Sequence, residues 1–144
     1  MGTIKNIKKE IITKLSAVST LAKVYAYEKL HPEQFPCAFV TFSSSDNEFF
    51  TTSENKRVFG YRVLVLAQIG VDRDTTDKVE QAEEVIQDVT GDILDVLDSN
   101  ITLDDNAEVV FVEASVGEPG YVEYEGGWAR SVELQVRVHS VYLV

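Results

Sequence analysis

Four carboxylates, Glu80, Glu84, Asp88 and Asp92, recur at every fourth residue within VEQAEEVIQDVTGDILDVLD, Val79 to Asp98. Acids at that spacing could hold a metal, share acid–base catalysis or form a solvated face. A hard cation such as calcium or magnesium needs oxygens converging from several directions, usually with loop carbonyls among them. One helix face holds its carboxylates side by side and several ångströms apart, and no EF-hand pattern is present. A glycosidase-type pair needs two acids flanking a cleft, one of them desolvated. The chain has 24 acids and nothing in their spacing selects two of them. The solvated face is the stronger reading, although like charges four residues apart destabilise an isolated helix by roughly 0.2–0.5 kcal/mol per pair.

Other reactive side chains are sparse. His31 lies in a proline-containing loop, and alternation places His139 on the polar side of the last strand. Neither neighbours a nucleophile. Cys37, the one cysteine, opens a strand and reads as a small buried hydrophobe. One cysteine permits neither an intrachain disulfide nor a cysteine-based zinc cluster, and fits synthesis in a reducing compartment. No nucleophile elbow, P-loop or dinucleotide fingerprint occurs. The expectation is a protein that is not an enzyme and carries no cofactor. Tyr121, Tyr124 and Trp128 stand out instead, in SVGEPGYVEYEGGW, which reads as a loop or an extended hairpin tip. Exposed, they would suit a partner surface, since Tyr and Trp are common interface anchors. Folded back, they would cover the protein's own sheet.

The elements that position these residues follow from periodicity. Ile4, Ile7, Ile11, Leu15 and Val18 alternate steps of three and four, which predicts a helix from Thr3 to Val18. Strands are expected at Val24–Glu28, Cys37–Ser43 and Val58–Val71, with Phe49–Thr52 as a possible edge strand. The third is apolar on both faces in its middle, as a central strand is. A helix from Thr76 to Asp98 buries Val79, Ala82, Ile86, Val89, Ile93 and Leu97. Gly91 within it costs about 1 kcal/mol relative to alanine, which predicts a close packing contact or a bend there. Two strands follow, Glu108–Ala114 and Ala129–Val144. The second has Val132, Leu134, Val136 and Val138 inside and Glu133, Gln135, Arg137 and His139 outside. The order α-β-β-β-α-β-β predicts one α+β domain over residues 1–144. Its architecture is a mostly antiparallel sheet of four to six strands with two helices packed on one face.

Charge bounds the partners. The net charge of −11 on 144 residues argues against binding to phosphate backbones. The charge is also segregated: residues 1–30 hold six lysines and two acids, and the remainder holds 22 acids against seven basic residues. No apolar run approaches the length of a membrane span, and the N-terminus lacks the apolar core of a signal peptide.

The chain resembles the tail terminator proteins of long-tailed bacteriophages and the related tail-completion and neck proteins. The residues carrying the resemblance are the amphipathic first helix and VYAYEKLHPEQFPCAFVTF, then NKRVFGYRVLVLAQI. AEEVIQDVTGDILDVLDSNITLDD and the alternating C-terminal strand complete it. The resemblance implies a structural virion protein made in the host cytoplasm. Its copies would form a ring, usually of six, that ends tube polymerisation and docks to the head connector. Its partners would be itself, the tube protein and neck proteins, with DNA passing through unbound. A neck adaptor is the near alternative, and a small cytosolic enzyme or ligand-binding domain the distant one. In a ring, the acidic ladder could line the lumen and repel phosphate, face a neighbour's lysine-rich helix, or lie on the outer surface.

Overall fold

Ile7, Ile11 and Leu15 share one helical face and end fully buried, which makes Thr3–Ser16 the amphipathic helix α1. A computed structural model describes residues 3–27, 32, 34–49, 54–70, 76–99, 111–124 and 127–143. The strands are β1 (Lys23–Tyr25), β2 (Cys37–Phe49), β3 (Glu54–Gly70), β4 (Phe111–Tyr124) and β5 (Gly127–Leu143). Helix α2 (Thr76–Ser99) lies between β3 and β4 in the chain. His31, Gly126 and Glu108–Val110 lie outside the described residues, as does the edge strand expected at 50–52.

Among the described residues the five strands form one sheet in the order β1-β2-β3-β5-β4. β1 runs parallel to β2, and every other neighbouring pair is antiparallel. β3 is the central strand, as its apolar residues on both faces predicted. Its odd-numbered side chains, Phe59 through Ile69, enter the main core with Val132, Leu134, Val136 and Val138 of β5. Ile7, Ile11 and Leu15 of α1 and Ala82, Ile86, Val89, Ile93 and Leu97 of α2 close that core from the same side. Both helices therefore lie on one face of a mostly antiparallel sheet, the α+β architecture expected. α1 sits over β1 and β2, while α2 sits over β3, β5 and β4.

The opposite face explains Leu64 and Leu66. Leu66 joins Tyr25, Cys37, Phe39 and Ala129 in a second, smaller cluster, with Leu64, Phe35, Val122 and Tyr124 packed against it. The rings of Phe35 and Tyr124 stand 5.2 Å apart and close one end of it.

One open reading is decided and two expectations need correction. Of the loop and the extended hairpin read for Gly117 to Trp128, the pairing selects the hairpin, since β4 and β5 remain paired through Tyr124↔Gly127. A register shift between Val116 and Pro119 takes up the awkward residues. An edge strand tolerates a bulge and a proline there because no further ladder depends on them. A Cβ on Gly117 would stand 3.0 Å from the Glu133 carbonyl oxygen, so any larger residue there would push the two strands apart by a few tenths of an ångström. His139 does not face solvent, being only 6% exposed beneath the ring of Phe111. Gly91 makes no close packing contact, since a Cβ added there would meet nothing within 4 Å.

Candidate interaction surfaces

The acidic ladder is not one wall. Four residues turn an α-helix by about 40° beyond a full revolution, so three such steps wind about 120° around α2. Glu80, Glu84 and Asp88 are exposed, whereas Asp92 is half-buried on the flank that meets the end of α1. There Asp92 Oδ2 accepts a 2.8 Å hydrogen bond from the Thr20 hydroxyl. The winding separates the outer carboxylates from the inner one and gives the last of them a partner within the chain. The arrangement suits a charged surface, and no converging cage is built from it.

The three aromatics of the hairpin divide. Trp128 is half-buried and packs against the main core. Tyr124 is half-buried in the second cluster, where its hydroxyl oxygen accepts a 3.3 Å hydrogen bond from Gln68 Nε2. Tyr121 alone stays exposed, at 44%, with Val116 nearby on β4 at 53%. Trp128 and Tyr124 thus cover the protein's own sheet, and Tyr121 is the one left exposed.

Arg130 was missed by the reading from sequence, yet it organises this edge. Its Nε lies 2.6 Å from Glu83 Oε2 of α2, and its Nη1 donates to the Gly120 carbonyl oxygen at 3.1 Å. Its guanidinium carbon stands 5.0 Å from the centre of the Tyr121 ring. The arginine thus ties α2 to β4 and supports the tyrosine from one side by a cation–π contact. A signal was present: Arg130 has the same parity as Val132 and Leu134, so alternation sends an arginine toward the helix-covered face.

His139 and Glu113 form a second polar pair, with Nε2 and Oε2 2.9 Å apart. The imidazole stacks on Phe111 with ring centres 3.9 Å apart. The histidine is held between a carboxylate and a ring. Cys37 is fully buried, and burial pushes its thiol up to about 12, which keeps it protonated and unreactive. A shallow depression of about 200 Å³ lies between α2 and the start of β2, lined by Phe35, Pro36, Ala67, Gln68, Gln81, Ala82 and Val85. Its polar groups are amides, none of which titrates.

Among the described residues, no group of three or more histidine, cysteine, aspartate or glutamate side chains is placed to hold a metal ion. Among the same residues, no helix is long and apolar enough to cross a membrane. No protein-family model matches the chain, and no curated protein matches it.

Proposed function

We propose that the chain is a structural subunit of a bacteriophage tail, a terminator that assembles as a ring at the head-proximal end of the tube. The observation that carries this reading is the division of charge across one sheet. The lysine-rich helix α1 covers β1 and β2, and the acidic helix α2 covers β3, β5 and β4. Opposite charge on two helices set toward opposite ends of one sheet suits contact between unlike patches, and such contacts close into rings when the rotation allows. The resemblance to tail terminators supports the position and the role. The exposed carboxylates Glu80, Glu84 and Asp88 add a surface that repels a passing phosphate backbone.

Electron microscopy of the purified protein, alone and with tube subunits of the same virus, tests the proposal. The expected result is a closed ring with a central channel that caps one end of each tube and stops its growth. Tubes that lengthen unchanged in excess protein overturn the terminator role. Rings that bind the head connector but never the tube would make it a neck adaptor instead.

A further inference from the structure

Six large apolar side chains are exposed among the described residues, and five of them stand at two opposite edges of the sheet. Ile4, Tyr27 and Phe42 belong to the edge built by α1, β1 and β2. Val116 and Tyr121 belong to β4, the edge strand at the other end of the order. The charges at these edges have opposite sign. α1, β1 and β2 together carry five lysines and three acids, Glu10, Asp46 and Glu48, with all five lysines on α1 and β1, whereas β4 carries three acids and no basic residue.

From this pairing we infer the contact that builds the ring: the β4 edge of one copy docks on the α1–β1–β2 edge of a second copy of the chain. Val116 and Tyr121 meet Ile4 and Phe42, and Glu118 and Glu123 face Lys5 and Lys9. All four of those charged side chains are exposed. The lysines of α1 and β1 complement the acids of β4, and pairing either of those surfaces with its own copy would bring like charges together. Exposed aromatic residues gain most when a partner desolvates them, and Tyr121 is held ready by Arg130 beneath its ring. On the other edge, Tyr61 fixes the backbone of Ile4 and the ring of Phe42. The Tyr61 hydroxyl bonds the Ile4 carbonyl, and the Tyr61 ring meets Phe42 edge-on at 5.8 Å. Both edges are therefore preformed in the isolated chain. The inference rests on the ring reading for closure, and it places the contact that the ring reading leaves open.

Cysteine cross-linking tests it, because the native Cys37 is fully buried and does not compete. Lys9→Cys and Glu118→Cys are made separately and treated with a short bismaleimide. The expected result is a covalent dimer in the mixture of the two variants and none in either alone. A dimer formed as readily by one variant alone, or no dimer in the mixture, overturns the docking. Lys5→Cys with Glu123→Cys repeats the test should either first variant fail to fold. Tyr121→Ala should weaken self-association at least tenfold without moving the melting temperature of the monomer. Wild-type rings with no cross-link in either mixture leave the ring standing and remove this contact. A cross-link in chains that never close leaves the contact and removes the ring.

Discussion

The Tyr61 hydroxyl donates a 2.6 Å hydrogen bond to the carbonyl oxygen of Ile4, and so ties the middle of the central strand to the first turn of α1. Tyr61 is fully buried, and burial raises its phenol well above 10.0, so it remains a donor at any ordinary pH. Tyr61→Phe keeps the ring and deletes the bond. Its expected cost is about 1 kcal/mol, the usual net worth of one intramolecular hydrogen bond. Urea unfolding should give a lower midpoint with an unchanged slope. An unaltered midpoint would show that the bond contributes nothing.

Gly91 is an unneeded glycine in the middle of α2. A Cβ there meets no atom within 4 Å, and the residue is exposed. Gly91→Ala should therefore raise stability by roughly 0.5–1 kcal/mol, through lower backbone entropy in the unfolded chain. Thermal unfolding reads this as a higher Tm, and a lower one would contradict the open space at Gly91.

The Cys37 thiol titrates at about 12 in the folded chain against 9.0 when unperturbed, because burial disfavours the thiolate. The raised value means that the folded state keeps its proton while the unfolded state loses it. The stability this contributes is fully present below pH 9.0 and falls as pH rises toward 12. Tyr61 adds a loss of the same sign from 10.0 upward. Cys37→Ala should flatten the alkaline slope relative to wild type. Thiol labelling of the native protein should also be slow, with full reactivity only in denaturant. Rapid labelling at neutral pH would place Cys37 at the surface.

Trp128 and Tyr121 should separate under mutation. Trp128 contributes to the main core although half-exposed, so Trp128→Ala should cost about 2 kcal/mol, less than a fully buried aromatic does. Tyr121→Ala should change the monomer by less than about 0.5 kcal/mol, as surface substitutions usually do. Equal losses in calorimetry would mean that Tyr121 belongs to the fold and is no free anchor.

DNA offers a check on charge. At a net charge of −11, no duplex binding is expected at physiological salt. A gel shift that fades steeply with added salt would be the contrary result.

Periodicity carried most of the architecture, because one buried face per element leaves a readable mark. Val132, Leu134, Val136 and Val138 reach the core as alternation required, and so do Ile7, Ile11 and Leu15. The far half of β4 was not legible. Gly117, Pro119 and Gly120 read as breakers in one dimension, and only the neighbouring strand turns them into a bulged edge. The same limit hid His139. Alternation sends it away from the helices correctly, but its burial comes from Phe111, 28 positions earlier in the chain. Of the candidate site, the acidic helix and the aromatics were visible as residue types. The division of the aromatics between core and surface was not, since it depends on which atoms lie across the sheet.

β5 follows β4 in the chain but lies between β3 and β4 in the sheet. During synthesis the earlier strands can form only the β1-β2-β3 part of the sheet. β4 leaves the ribosome with no strand beside it until residues 127–143 follow. Until then both β3 and β4 present an unfilled edge, the kind that captures strands from other nascent chains. β5 must therefore find its register against two templates at once, and whatever strand reaches the β3 or β4 edge before it competes for that place.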